Sequence, residues 1–157
     1  MDEATYIALS EAHMASFFRM AYSILRNRSD AEDAVQQALM NAWRTREKAR
    51  DGSERAWMTR ILINECYDIL RVRRRAVPME HLPGEETPFR SSADSGLYDA
   101  IQSLPDSLRL PFLLKYMEGM TEKETAAALH LPPGSVKHRL FRARKALQKI
   151  LNEEVAL

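Results

Sequence analysis

The chain has 157 residues, a formal net charge of +1 and 45% hydrophobic residues. This composition excludes a disordered tail and supports a folded core, in one domain or in two small ones. The charge is segregated along the chain: arginines cluster at 71–75 and basic residues again near the C-terminus, whereas acids gather at 30–33 and 80–86. Separate basic and acidic surfaces indicate more than one partner.

The cysteine count and the hydropathy pattern indicate the cellular compartment of the protein. Cys66 is the single cysteine, so the chain cannot form an internal disulfide and suits a reducing cytosol. Its apolar neighbours predict a buried structural thiol. The acidic N-terminus lacks a signal-peptide core, and no apolar run reaches membrane-spanning length. We therefore expect a cytoplasmic protein without membrane insertion.

The first two helices follow from apolar spacing and from caps. Apolar residues from Tyr6 to Ile24 recur at helical intervals and predict a helix to about Arg26. Ser29 with Glu32 fits a capping box, which predicts a second helix starting at Asp30. Its inner stripe is predicted to comprise Val35, Ala38, Leu39, Ala42 and Trp43. The outer face then carries Asp33, Gln36, Gln37, Met40 and Arg44, either as a partner surface or merely exposed to solvent.

A polar loop, 48–53, with Gly52 as its turn residue precedes a third predicted helix that runs to about Arg75. The apolar side of this helix is predicted to comprise Trp57, Ile61, Leu62, Ile69 and Leu70. Its polar stripe comprises Arg60, Asn64, Asp68, Arg71 and Arg75. That stripe could carry ion pairs within the helix, or it could line a nucleic-acid groove.

Prolines, glycines, serines and acids dominate residues 79–96 and predict a flexible acidic linker. The domains are accordingly predicted at 1–78 and 97–157. Beyond the linker, one helix is expected from Leu97 and a second, opened by Pro105, as far as Gly119. No strand-period alternation occurs in the sequence, so we predict an all-α fold of two small helical domains joined by the linker.

The stretch 118–151 has the pattern of a helix-turn-helix. Thr121 and Glu124 fit a capping box for a short helix, whose close-packing face is predicted to be Ala126, Ala127 and Leu129. The 132–134 segment, Pro-Pro-Gly, forces a turn, and Ser135 is the predicted N-cap of a longer second helix. The predicted buried stripe of this second helix is Val136, Leu140, Ala143 and Leu147.

The second helix of this motif carries the candidate DNA-binding residues. Between Ser135 and Leu151 no acidic residue occurs, as a surface that displaces counterions from phosphates requires. Four residues share a face near the helix start, where base edges are read: Lys137, His138, Phe141 and Arg142. Three more lie on its flanks and are predicted to contact phosphates: Arg139, Arg144 and Lys145. The alternative is a solvated basic helix packed on its own domain.

The sequence gives little support to catalysis. The four histidines are scattered and none has a second ligand at metal spacing, so we expect no bound metal and no cofactor. No Ser-His-Asp order or nucleophile elbow is present, and no catalytic residue is predicted. Capping already accounts for the acids at 30–33.

Taken together, these segments resemble the extracytoplasmic-function (ECF) sigma factors, the smallest class of sigma-70-type transcription initiation factors. Residues 30–44, DAEDAVQQALMNAWR, resemble region 2.2, and residues 55–75 resemble regions 2.3 and 2.4. The segment from LPDSLRL to RARKAL resembles region 4. The resemblance implies a non-enzymatic promoter-specificity subunit, and as partners promoter DNA, the clamp helices and beta flap of core RNA polymerase, and a separate anti-sigma factor.

The resemblance also implies roles for individual residues. Polymerase binding falls to Asp30, Asp33, Gln36, Gln37 and Met40. Minus-ten recognition falls to Arg60, Asn64, Arg71, Arg74 and Arg75. Minus-thirty-five recognition falls to Lys137, His138, Arg139, Phe141, Arg142, Arg144 and Lys145.

Three residues depart from the family pattern: Gln37, Glu54 and His138. The resemblance implies that the loop near 45–53 and the recognition helix set promoter specificity. The departures at Glu54 and His138 therefore leave the promoter sequence unpredicted. The alternative hypothesis is a two-domain regulator whose N-terminal domain senses a ligand or dimerises.

Overall fold

The structure, a computed structural model, describes residues 1–76 and 95–156. All regular elements in these two ranges are helical, which confirms the all-α class. The chain divides into two compact units, Met1–Thr87 and Pro88–Leu157. The predicted linker at 79–96 lies almost entirely outside the described residues, so it and the domain limits derived from it stay predictions.

The described part of the first unit contains three α-helices: α1 (Glu3–Leu25), α2 (Arg28–Arg44) and α3 (Glu54–Ala76). Each packs against the other two. The core between them contains large apolar side chains from α1 and α3 and mostly small ones from α2, which lets α2 approach closely. Buried residues of this core include Phe17, Met20, Leu25, Ala31, Ala34, Ala42 and Leu62.

The junction between α1 and α2 differs from its prediction. Helix α1 ends where Arg26 adopts a left-handed conformation, with φ of 56°. Asn27 is extended, and its side-chain oxygen accepts a hydrogen bond from the Asp30 N–H at 3.0 Å. The predicted cap at Ser29 is therefore wrong. Helix α2 begins at Arg28, because the asparagine just after α1 already satisfies a free backbone donor.

Trp43 and the loop after α2 form a small aromatic cluster with α1. The Trp43 ring meets Tyr6 edge-on at 5.1 Å between centroids, and the Arg46 guanidinium covers it at 3.7 Å. Trp43 is 36% exposed, so it docks on α1 instead of filling the core as predicted. The loop itself contains a short 3-10 helix, Arg46–Lys48, and Gly52 with φ of +86°, which confirms the predicted turn.

The buried side of α3 is rotated relative to the predicted one. Of the predicted apolar set only Leu62 is fully buried, whereas Trp57, Ile61, Ile69 and Leu70 are half-buried. The buried positions are instead Ala56, Met58, Thr59, Leu62, Ile63 and Cys66. Burial raises the pKa of the Cys66 thiol to about 12, so this cysteine stays protonated and unreactive. The buried structural thiol is confirmed.

Between residues 95 and 156 the second unit contains four α-helices: α4 (Ser95–Ser103), α5 (Asp106–Phe112), α6 (Glu122–Leu129) and α7 (Pro133–Ala156). Helix α7 packs against each of the other three. One buried cluster joins α4 and α5 to the middle of α7 and contains Ala100, Ile101, Leu104, Leu108, Ala143 and Leu147. A second cluster joins α6 to the start of α7 and contains Ala126, Val136 and Leu140.

The helix predicted from Pro105 as far as Gly119 is not α-helical throughout. A π turn, Leu113–Met117, follows α5, and the Glu118 N–H bonds to the Leu113 carbonyl at 2.9 Å, five residues back. Pro111 lies inside α5 and has no N–H to give the carbonyl four residues earlier, that of Ser107. Arg139 Nη1 of α7 lies 3.4 Å from that Ser107 oxygen. The proline therefore leaves a carbonyl available to α7.

Arg109 is a buried cation in this unit and is 6% exposed. Its Nη1 donates to the Leu104 carbonyl at 2.9 Å, and its Nη2 lies 2.5 Å from the Asp106 carboxylate. Arg109 thereby ties the end of α4 to the first turn of α5. Sequence analysis did not single it out.

Candidate nucleic-acid and polymerase interfaces

Helices α6 and α7 form the predicted helix-turn-helix. The capping box at the start of α6 is confirmed. The Glu124 N–H donates to Thr121 Oγ1 at 3.0 Å, and the Thr121 N–H donates to Glu124 Oε1 at 3.1 Å. His130 ends α6 in a left-handed conformation, with φ of 57°. The predicted cap at Ser135 is wrong, because Pro133 is already the first residue of α7. Proline suits that position since the first N–H of a helix has no internal partner.

Small side chains of α6 are buried within the helix-turn-helix. Ala126 and Ala128 are buried, but Ala127 is exposed, which corrects its assignment to the close-packing face. Thr125 is completely buried, and its hydroxyl has no hydrogen-bond partner. The stripe predicted for α7, Val136, Leu140, Ala143 and Leu147, is confirmed as buried.

Thr125→Val should stabilise the second unit by about 1 kcal/mol, because it replaces an unsatisfied buried hydroxyl with a methyl group of similar size. The gain is measured as slower amide exchange in α6 and α7 of the full chain. Thr125→Ala is the matched comparison, since it also removes the hydroxyl but leaves a space. A Val variant no more stable than the Ala variant would contradict the prediction.

Six of the seven residues assigned to minus-thirty-five recognition are exposed on α7: Lys137, His138, Phe141, Arg142, Arg144 and Lys145. Arg139 is half-buried and directed toward Ser107, as described above. Arg144 Nη1 donates to the Tyr116 hydroxyl at 2.6 Å, and Lys145 Nζ lies 5.6 Å from the centre of the Phe141 ring. Within this assigned set, Arg139, Arg144 and Lys145 are thus oriented by neighbouring groups, whereas Arg142 is exposed with no such contact described.

An apolar groove of about 420 Å³ adjoins this face within the second unit. Leu97 and Phe112 lie along one side, and Phe141 and Leu151 of α7 along the other. Phe141 and Leu97 are each 50% exposed. Arg144 and Lys145 also line the groove and give it a basic border, so α7 contributes to two adjoining surfaces.

The outer face of α2 carries four of the five residues assigned to polymerase binding: Asp33, Gln36, Gln37 and Met40 are exposed. Met40 is 59% exposed and is the large apolar side chain of this group. Gln37 Nε2 donates to Asn41 Oδ1 at 3.2 Å, and Asn41 Nδ2 donates to Glu65 Oε1 of α3 at 2.5 Å. Asn41 and Glu65, which sequence analysis missed, therefore connect this face to α3.

Asp30, the fifth residue of that set, is placed differently. It is half-buried, and its carboxylate pairs with Arg73 of α3. The structure therefore separates Asp30 from the exposed group on α2.

The residues assigned to minus-ten recognition lie along α3. Asn64, Arg71, Arg74 and Arg75 are exposed, and Arg60 is half-buried. Arg71 pairs with Asp68 one turn earlier, and both side chains are more than half exposed. One position of this polar stripe therefore carries an ion pair within the helix, while the nucleic-acid role of the exposed positions stays a prediction.

The described ranges contain neither a cluster of potential metal ligands nor a helix that could cross a membrane. No group of three potential ligands among His, Cys, Asp and Glu occurs there. No described helix has the length and hydropathy that a membrane crossing needs.

Comparison with known proteins gives the family. Residues 9–76 match the family model Sigma-70 region 2, and residues 95–147 match Sigma-70, region 4. The ECF RNA polymerase sigma factor SigM of Mycobacterium tuberculosis is 30% identical over 155 residues, 96% of this chain and 79% of that protein. The chain belongs to the extracytoplasmic-function sigma factors of the sigma-70 family.

Two further likenesses agree. The ECF RNA polymerase sigma factor SigE of Mycolicibacterium smegmatis is 30% identical over 91% of this chain, which spans 60% of that protein's length. Among solved structures, the sigma factor RpoE of Bartonella quintana, in complex with the anti-sigma factor NepR, superposes with a TM-score of 0.77 at 28% identity. That likeness covers 91% of this chain and 94% of RpoE.

Proposed function

We propose that this chain directs core RNA polymerase to a specific set of promoters and starts transcription there, as a cytoplasmic binding subunit without catalytic residues of its own. The observation that carries the proposal is the exposed basic face of α7 on a helix-turn-helix, in a chain whose other unit matches sigma-70 region 2. The second unit then reads the minus-thirty-five element, and the first unit reads the minus-ten element.

Minus-thirty-five reading falls to the exposed start of α7. Lys137, His138, Phe141 and Arg142 share the early face of the helix, from which side chains reach base edges in the major groove. Arg139, Arg144 and Lys145 act on phosphates, and the contacts of Arg139 with Ser107 and of Arg144 with Tyr116 hold these cations in place beforehand. Such orientation lowers the entropy lost on binding.

Minus-ten reading falls to α3. Extruding a base from the stack costs a few kcal/mol, so the protein must supply a compensating pocket. The exposed Asn64 amide offers both a donor and an acceptor to an unpaired base. Arg60, Arg71, Arg74 and Arg75 are proposed to hold the flanking phosphates.

Polymerase binding is proposed for two surfaces. The exposed group Asp33, Gln36, Gln37 and Met40 on α2 combines polar side chains with one large apolar one, a composition suited to the clamp helices of the largest subunit. The apolar groove between Leu97, Phe112 and Phe141 is the candidate contact for the beta flap. Control by an anti-sigma factor is proposed from RpoE, which was solved with such a partner.

In vitro transcription with core polymerase tests the proposed function. We expect the chain to confer initiation from a subset of promoters in a genomic library, with start sites downstream of a common pair of sequence elements. A ligand-sensing regulator would bind DNA but would not confer initiation on core polymerase. Promoter binding without initiation in this assay would therefore favour the regulator.

Replacing both Asp33 and Gln36 with alanine should weaken core binding about tenfold, because each loses a polar contact worth about 1 kcal/mol at most in an exposed interface. The dissociation constant for core polymerase is measured by fluorescence anisotropy. The matched control is Glu11→Ala, which also removes one acid but from an exposed position on α1. Duplex binding by α7 should not change. Unaltered core affinity would move the polymerase contact away from α2.

A further inference from the structure

Arg73 is the inward-facing member of the arginine cluster at the end of α3. Its side chain is 17% exposed, compared with 61% for Arg71. At about 100° per residue, Arg71, Arg74 and Arg75 fall within roughly 100° of one another on the helix, and Arg73 falls on the opposite side. The cluster therefore divides into three arginines that face solvent and one that faces the protein.

Arg73 joins the ends of all three helices in the first unit. Its Nη2 donates to the Asp30 carboxylate in the first turn of α2, and its Nη1 lies 3.5 Å from the Leu25 carbonyl at the end of α1. Both charges suit their positions, because a cation is favoured at a helix C-terminus and an anion at a helix N-terminus. The Asn27 cap fixes the Asp30 backbone as well.

The Asp30–Arg73 pair differs from the Asp68–Arg71 pair in the same helix. Asp68 and Arg71 are 51% and 61% exposed and lie one turn apart, so solvent screens the pair and it constrains nothing beyond α3. Asp30 and Arg73 are 32% and 17% exposed and lie 43 residues apart in sequence. This second pair therefore links two helices and is less screened by solvent.

We propose that Arg73 is a positioning residue for minus-ten recognition and that Asp30 is its internal partner. The pair fixes the rotation of the last turns of α3, so that Arg71, Arg74 and Arg75 point toward DNA. Asp30 then acts through Arg73, and not as a contact to polymerase. This inference rests on the proposed function of the first unit, and it assigns Asp30 a role different from the one that the family resemblance implies.

A double-mutant cycle tests the pair in the full chain, with Asp30→Asn, Arg73→Gln and the double variant. The rate of open-complex formation is measured with preassembled holoenzyme on a promoter found by in vitro transcription. We expect each single variant to be about tenfold slower and the double variant to be no slower than either, because residues in direct contact are not additive. Arg73→Lys should recover part of the rate, since it keeps the charge but not the two-pronged geometry.

The direction of the rate change in Asp30→Asn is a second test of the positioning role. Removing the acid Asp30 should by itself favour phosphate binding, so a slower rate in Asp30→Asn runs against simple electrostatics and supports positioning. Glu32→Gln is the matched control, because it removes the same charge from an exposed position two residues away. Core affinity of Asp30→Asn should stay within about twofold of wild type. All variants are compared at a temperature where circular dichroism shows them fully folded.

The outcomes separate the two proposals. Additive single effects, or a loss of core affinity in Asp30→Asn, would overturn the positioning role. A rate defect that Arg73→Lys leaves entirely unrelieved would also count against it. Failure of the wild-type chain to support any initiation would instead overturn the proposed function. In that case non-additivity in urea unfolding of the free chain still tests the pair itself.

Discussion

Arg109→Met should destabilise the second unit by about 3 kcal/mol, at the lower end of the cost of breaking a buried ion pair. The cost is at this lower end because the Asp106 side chain is 45% exposed and recovers water when its partner is lost. The remaining cost comes from the Leu104 carbonyl, which loses a donor at a buried helix end. Amide exchange of α4 and α5, resolved by peptide in the full chain, measures the loss.

Lys123→Met is the matched control for Arg109, because it removes a cation from an exposed position in the same unit and should change stability by less than about 0.5 kcal/mol. Exchange in α1 to α3 should be unaffected by either variant. Equal, small effects of Arg109→Met and Lys123→Met would show that the buried cation contributes no more than a surface charge.

Arg142→Ala should flatten base preference at one or two positions of the minus-thirty-five element, whereas Lys145→Ala should weaken all sequences nearly equally. An arginine that donates two hydrogen bonds to guanine contributes about 1 to 3 kcal/mol of discrimination. A phosphate contact gives affinity that falls with salt, so its loss lowers the salt slope by about one. The structure supports this division, because Arg142 projects outward while Lys145 lies over Phe141 beside the groove.

The measurement for this pair is binding of each variant to a library of minus-thirty-five sequences at two salt concentrations. Each variant serves as the control for the other, since both remove one positive charge from α7. Exchanged effects, with lost preference in Lys145→Ala and a uniform loss in Arg142→Ala, would mean that α7 lies in the groove with a different rotation.

Periodic and local features of this fold could be predicted from sequence. The stripe Val136, Leu140, Ala143 and Leu147 was identified because one long helix repeats its buried positions, and the capping box of Thr121 and Glu124 needs only four consecutive residues. Ser29 and Ser135 were wrong as caps for a local reason too. In each case a residue earlier in the chain, Asn27 or Pro133, already started the helix.

The remaining features depend on contacts distant in sequence. Asp30 and Arg73 lie 43 residues apart, and no spacing rule connects them. Arg109 was passed over because arginine is normally exposed, and its burial depends on how α4 ends against α5. The candidate site residues lie on helices that the sequence predicts, and their binding roles stay predictions. The contacts that orient Arg139 and Arg144 could not be predicted, because Ser107 and Tyr116 are distant from them in sequence.

The π turn after α5 sets the direction in which the chain leaves that helix toward α6. Its hydrogen bonds reach five residues back instead of the four of an α-helix, so each residue advances the chain by less than the roughly 100° of an α-helix. The chain therefore leaves this segment in a different direction from the one that an unbroken α-helix would give. The Met120 N–H then bonds to the Leu114 carbonyl at 2.9 Å, which fixes this exit angle before the capping box begins. A one-residue change in length here would re-aim the helix-turn-helix while leaving both flanking helices intact.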